Sequence, residues 1–516
     1  MREWSHTGQA MRPPIARMYP HAACAIHEPL YNDLISHDAD FLMFLGLYQP
    51  ADVVEEKGEN YFIAAHPRPR VREPGFLQVM LGARHSLIGN WMEDHYRSTV
   101  DSFRILRRQV VFVNAPEHVK YVMVTRHANF ERKSPQTRRA LEMLLGDGLL
   151  ISDGQTWRER RPLVADIVHK RRLPEFASTM EQAMSAAILR WLELPAGAEF
   201  ELTADMAHLT AQVISRAVFG KNLGAQAARQ VIEGFNTYQK GVESFNLGYF
   251  LGADDGWPLR RSAPMRGAVA RVHQVIDDVI ETHLRGDGDA ASIVSLLLAR
   301  KGRDGVGDLD IAALRNEAAT IFMAGHEGTA NTLTWAFYLI ANAPWAERRL
   351  VEEIDALCGA RAVVMDDVQH LDWCRSVILE TLRLYPPVPL LPRQARAADR
   401  IADIEVEAGS LVMIAPWLLH RARDLWENPN HFQPQRFAHG AKYNPFAFIP
   451  FSVGPRICAG LNFGLDEAVL CLAALIQRFR VTPRPGYKVE PVCRLTLRPA
   501  GGLPVSVTPR HGRRLT

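Results

Sequence analysis

The stretch FIPFSVGPRICAGLNFGLDEAVLCLAALI, residues 448–476, runs from an irregular turn into an apolar helical pattern. The turn holds Gly454, Pro455 and Gly460, and Cys458 stands just before the helix. A cysteine in that place meets backbone N–H groups and the positive end of a helix dipole. Arg456, two residues earlier, adds positive charge. Both effects favour the thiolate, the form that ligates metal or attacks carbon. Cys374 and Cys471 lie on apolar helix faces without glycine and read as inert, as do Cys24, Cys358 and Cys493. The six cysteines form no C-x-x-C pair and no Cys/His cluster. That argues against a disulfide framework or a zinc site and suits a reducing compartment.

A second stretch, IFMAGHEGTANTLTW at 321–335, sits inside a proline-free run from 309 to 343. The run predicts one helix of roughly 50 Å. Gly325, His326, Glu327 and Gly328 interrupt its apolar pattern. Interior glycines cost about 1 kcal/mol each relative to alanine. A glutamate among apolar residues is costly unless paired or used. Elsewhere, Glu380 and Arg383 at i,i+3 share a helix face and can pair. Trp157 and Arg161 at i,i+4 share another.

Together these patterns resemble the cytochrome P450 family, in its soluble, bacterial type. Phe451-x-x-Gly454-x-Arg456-x-Cys458-x-Gly460 is similar to the family's haem-binding loop. Glu380-x-x-Arg383 resembles its E-x-x-R helix. Phe432-x-Pro434-x-Arg436-Phe437 resembles the segment that supplies a third partner, with Gln435 where the family often has glutamate. Trp157-x-x-x-Arg161 resembles its propionate-binding helix, and Arg393 matches a further propionate position. His420-Arg421 fits the family order and reads as structural.

The resemblance implies a mainly α fold with small β regions, triangular in outline, whose long central helix crosses a haem b. It implies Cys458 as the axial thiolate, which pushes electron density to iron. It implies Phe451 and Gly460 as parts of the haem loop, and Trp157, Arg161, Arg393 and Arg456 as partners of the haem carboxylates, which arginine meets by charge-assisted bonds. Glu380, Arg383 and Arg436 are implied to brace that loop. On the central helix Ala324, Gly325, His326 and Glu327 match the family pattern, with Gly325 leaving room for O2, Glu327 relaying protons and His326 no ligand. Gly328 stands where the family has threonine. Thr329 follows, turned about 100° away on a regular helix. Three readings stay open: water held by Glu327 and the backbone, a π-bulge that swings Thr329 into place, or chemistry that uses peroxide or rearranges an oxygenated substrate.

The implied reaction is monooxygenation of a hydrophobic substrate, in a pocket of Phe322, Ala324, Val388, Leu391 and Leu495. Electrons are expected from a separate donor, a ferredoxin or flavodoxin with its reductase. The basic stretch with Arg158, Arg160, Lys170, Arg171 and Arg172 is expected to help dock it. Rivals are a peroxide-dependent or isomerase-like enzyme of the same class, and a haem protein that senses a ligand without turnover.

Whole-chain totals agree. The 516 residues are 47% hydrophobic and 23% charged, a globular composition. Sixty basic against 57 acidic residues, net +3, make no case for nucleic-acid binding. No apolar run reaches about 18 residues, so no transmembrane anchor is expected. The N-terminus lacks a secretory pattern, which points to the cytoplasm. Residues 1–65 read as an irregular extension and 66–516 as one haem domain. Residues 108–114 predict a strand, 464–479 a last helix, and the tail RLTLRPAGGLPVSVTPR a hairpin.

Overall fold

The computed structural model describes residues 52–510 apart from 73–77, 79–81, 83–84, 98, 221–223, 242–246, 253–261, 300–308 and 494. Most of the expected extension, and Cys24 with it, lies outside the described residues.

The strands are β1 Val53–Lys57, β2 Phe62–Pro67, β3 Val100–Ile105, β4 Arg108–Val113, β5 Arg132–Lys133, β6 Glu199–Glu201, β7 Leu391–Gln394, β8 Asp399–Ile401, β9 Ile404–Val406, β10 Leu411–Ile414, β11 Phe479–Pro483, β12 Pro491–Cys493, β13 Leu497–Pro499 and β14 Pro504–Pro509. The longer helices are α1 Pro135–Leu145, α2 Gly154–Ile167, α3 Leu173–Leu192, α4 Leu202–Phe219, α5 Ala225–Gly241, α6 Ala263–Leu284, α7 Ile311–Asn342, α8 Pro344–Cys358, α9 Asp372–Leu384 and α10 Leu461–Arg478. The architecture is therefore mainly α with small sheets.

The 32-residue α7 is the axis of the fold. It is apolar on nearly every side because α4, α6, α9 and α10 all pack on it. Its start is set by Asp310, whose carboxylate accepts the Ala313 N–H at 2.7 Å. Beside the helices lies a mixed sheet in the order β3-β4-β10-β7-β5, where β10 runs parallel to β4 and antiparallel to β7. Its register sets Lys133 of β5 opposite Arg393 of β7.

Three expectations change. Residues 53–65 are not irregular: β1 and β2 form a hairpin, and Phe62 and Ala65 are fully buried. Tyr385 Oη donates to the Ala65 carbonyl at 2.8 Å, and the Phe432 N–H donates to the Phe62 carbonyl at 2.9 Å. β1 is almost wholly exposed and β2 almost wholly buried, so neither carries an alternating pattern that shows in sequence. The stretch VQHLDWCRSVILETLRLYP, 368–386, whose pattern predicts a helix, is split at Leu371, because the Glu353 carboxylate accepts the Trp373 and Cys374 N–H groups and starts a new helix there. The tail is no hairpin: β13 pairs with β12, whereas β14 pairs with β11 and β6. Gly501 and Gly502, at φ +69° and +79°, turn the chain out of one sheet and into the other.

Candidate functional site

The loop ahead of α10 places Cys458. The Cys458 N–H donates to the Phe451 carbonyl at 2.9 Å, which closes the loop. Gly454 adopts φ +76°, and a Cβ there would stand 2.3 Å from the Met123 carbonyl oxygen, so only glycine fits. Ser452 takes φ +62°, a left-handed conformation that is uncommon outside glycine and clusters at functional loops. Among the described free cysteines Cys458 alone is exposed; Cys358, Cys374, Cys471 and Cys493 are buried.

The sulfur is accessible but recessed. Loss of surrounding water raises its pKa, against a Gly460 N–H bond and the charges of Arg161 and Lys133, which lower it. Arg456 is bonded elsewhere. Its Nη2 donates to the Ser152 carbonyl at 2.8 Å, and its guanidinium lies 4.6 Å over the Trp157 ring.

Around the loop the cations are crowded. Arg393 is 1% exposed, and burial followed by the Arg456 charge lowers its pKa to about 9. Burial lowers Arg456 to about 10. Lys133, which the sequence did not single out, is pushed well down by desolvation and then by Arg393 and Arg456. Arg393 Nη2 and Arg456 Nε are buried without a hydrogen-bond partner among the described residues. Buried donors of this kind call for an acceptor that the described residues do not supply. Three cations beside one accessible thiol thus suit a metal-centred group that carries carboxylates.

A buried brace ties this loop to α9. The Arg383 and Glu380 side chains are both inaccessible, and their bidentate pair measures 2.7 Å at each contact. Arg383 also donates to the carbonyls of His420, Pro429 and His431. Arg436 Nε lies 3.5 Å from Glu380, and the Gln433 N–H donates to Glu380 at 2.9 Å. His420 is fully buried, and desolvation holds it neutral. Its Nε2 accepts the Ile449 N–H at 2.9 Å, two residues before Phe451. The expected trio is therefore assembled, with His420 as the link into the cysteine loop.

In the middle of α7, between Glu317 and Ile340, the exposed and half-buried positions are Ala324, Gly325, Glu327 and Gly328; the others of that stretch are buried. The helix is α throughout, so no π-bulge rotates Thr329. Thr329 is buried; its hydroxyl donates to the Gly325 carbonyl at 3.4 Å and lies against Glu467 of α10. Glu467 is fully buried, and desolvation raises its pKa well above the usual range, against the Thr329 hydroxyl, which lowers it. Gly325 has a packing reason: a Cβ would stand 2.6 Å from the Ile214 side chain on α4. At Gly328 a Cβ would meet nothing within 4 Å. His326 is buried against Phe322 and bonds its carbonyl at 3.2 Å. Glu327 accepts a hydrogen bond from Thr496, a residue the sequence reading passed over because the two are far apart in the chain.

Two sets of expected residues disperse. Phe322 does not line an open face: it is enclosed by Phe219, Phe235 and His326. Leu391 is buried in the sheet's apolar cluster and Val388 is 40% exposed, whereas Ala324 is open and Leu495 half-buried. Arg160 is no docking residue. It is 8% exposed, bonded twice to Asp147 at 2.8 Å and paired with buried Glu317 of α7 at 3.2 Å. Arg158, Lys170 and Arg171 remain exposed. No described helix is long and apolar enough to cross a membrane.

Comparison with known proteins shows the family and the fold. A sequence profile of the family described as Cytochrome P450 matches residues 76–503. Cyclooctatin synthase of Streptomyces melanosporofaciens is 31% identical, over 79% of this chain and 88% of its own. Taurochenodeoxycholic 6 alpha-hydroxylase of Sus scrofa is 29% identical, over 77% of this chain and 81% of its own. The crystal structure of the cytochrome P450DA heme domain shares the fold, with a TM-score of 0.70 at 22% identity, covering 81% of this chain and 91% of that one. The chain belongs to the cytochrome P450 family and is a monooxygenase of that family.

Proposed function

We propose that this cytochrome P450 holds haem b through the Cys458 thiolate and oxidises a hydrophobic organic substrate with electrons from a separate redox protein. The observation that carries the reading is the accessible Cys458 thiol beside Arg161 and Lys133, with the buried, unpartnered donors of Arg393 and Arg456 next to Lys133 in turn. The family implies haem with a cysteine thiolate, and bound haem supplies the O2 chemistry that places one oxygen atom in substrate and the other in water.

The chain's own residues do the rest. Arg393 and Arg456, with Arg161 and Trp157, would hold the haem carboxylates. The Gly460 N–H and the charges of Arg161 and Lys133 hold negative charge on Sγ. Phe451 accepts the Cys458 N–H and keeps the sulfur aimed. Glu380, Arg383 and Arg436 keep that loop still. Glu327 takes up and passes protons from the half-buried face of α7, where Gly328 leaves room for water. Ala324 and Leu495 form part of an apolar substrate wall. Residues 66–516 act as one haem domain, and a ferredoxin or flavodoxin is the electron donor.

The test is the carbon monoxide difference spectrum of the reduced protein. The thiolate band is expected in the wild type and lost in Cys458→His; a band that survives the substitution overturns the ligand assignment. Turnover with a ferredoxin system but not with peroxide alone is the expected second result. Turnover with peroxide alone would favour the peroxide-dependent reading that Gly328 keeps in view.

A further inference from the structure

Glu327 is half-buried on the open face of α7, with Ala324 one turn before it and Gly328 beside it. A free glutamate there would sample many rotamers, and ordering a side chain of that length costs about 1.5–2 kcal/mol. Hydroxyl groups lie close by, but most serve backbone. Thr210 donates to the His326 carbonyl at 2.9 Å, Thr332 to the Gly328 carbonyl at 2.8 Å, and Thr329 to the Gly325 carbonyl at 3.4 Å. Thr496 differs: its hydroxyl donates to Glu327 Oε1. It comes from the turn between β12 and β13, which is itself anchored. The Trp335 Nε1–H donates to the Leu497 carbonyl at 3.2 Å, the Leu497 N–H to the Pro387 carbonyl at 2.9 Å, and the Cys493 N–H to Ser86 Oγ at 3.1 Å. Thr496 is thus held rigidly while it holds the carboxylate.

We propose that Thr496 is a positioning residue of this enzyme, whose hydroxyl fixes the Glu327 carboxylate over the open face of α7 and supplies, from a separate hairpin, the hydroxyl that helix position 328 lacks. The inference rests on the reading of Glu327 as the proton-delivering acid. A hydrogen bond to a charged partner is worth more than a neutral one, and both its direction and its partner matter. No bond is made or broken at Thr496; it donates to the carboxylate and thereby sets where the other carboxylate oxygen points.

The holoenzyme tests this with two readouts: the share of reductant electrons released as hydrogen peroxide rather than in product, and the infrared carboxylate band that disappears in Glu327→Gln. Thr496→Val is expected to lower product per reductant about tenfold and to shift the band. Thr496→Ser is expected to restore both. Trp335→Phe, which removes one of the hairpin's three anchoring bonds, keeps the other two and leaves the Thr496 hydroxyl in place, is expected to move neither. The inference is overturned if Thr496→Val changes nothing while Glu327→Gln does. It is equally overturned if Trp335→Phe reproduces the Thr496→Val result, which would make the contact a hairpin anchor only. If Glu327→Gln itself leaves the peroxide share unchanged, the proton-delivery reading of Glu327 falls and takes the inference with it.

Discussion

Arg383 carries five N–H donors, and the structure gives each an acceptor. Two go to Glu380 at 2.7 Å, two from Nη1 to the His420 and Pro429 carbonyls at 2.7 Å, and one to the His431 carbonyl at 3.1 Å. Arg383→Met keeps most of the stem volume and removes all five. Glu380, fully inaccessible, is then left with the Gln433 N–H and Arg436 at 3.5 Å. Breaking a buried ion pair from one side costs about 3–5 kcal/mol, because the remaining charge is uncompensated. The loss is therefore larger than a lost hydrogen bond, at about 1 kcal/mol. Adding Glu380→Gln removes the orphan charge, so the double variant is expected to regain roughly 1–2 kcal/mol over Arg383→Met alone. Urea unfolding of the three proteins measures this. Amide hydrogen exchange at Ile449 and Cys458 is expected to quicken in Arg383→Met, since His420 carries the brace into the loop. A cost below about 1 kcal/mol, well under the range for breaking a buried pair, or a double variant less stable than the single, would refute the reasoning.

Two glycines one turn apart on α7 are expected to respond with opposite sign. Gly328→Ala adds a Cβ into open space and stabilises by about 1 kcal/mol, whereas Gly325→Ala must displace Ile214 and costs about 1–3 kcal/mol; thermal unfolding checks both. Gly328→Thr is expected to raise product per reductant, and an unchanged yield excludes position 328 from proton delivery. Arg393→Met is expected to quicken haem transfer to an acceptor protein about tenfold, with exposed Arg348→Met as the control that leaves it unchanged. His66 is buried, and desolvation lowers its pKa to about 4. Below about 6.5 the unfolded chain takes up a proton that the native state refuses, so stability falls by about 1.4 kcal/mol per pH unit down to about pH 4. Comparing urea unfolding of wild type and His66→Gln across that window should show the slope reduced in the variant.

Much of the site is legible in the chain because its parts are local. The cysteine loop, the i,i+3 pair Glu380 and Arg383 and the capped, proline-free α7 each fall within a few turns, where spacing alone fixes which side chains share a face. The same spacing cannot say which face looks where. Phe322 and Ala324 are two residues apart, yet one is enclosed by Phe219 and Phe235 and the other is open. Arg160 and Arg161 are adjacent, yet one neutralises Asp147 and Glu317 while the other faces the thiol.

By itself, then, the sequence determined the family, the helical class and the residue beside which chemistry occurs. What only the tertiary structure decided are the contacts between distant segments: Lys133 beside Arg393 through strand register, His420 under Ile449, Glu467 against Thr329, and Thr496 on Glu327 across 169 residues. Local spacing is a property of one helix or turn. Burial and charge pairing depend on what the rest of the chain lays against it, and those neighbours are what turn an arginine into a buried donor awaiting an acceptor.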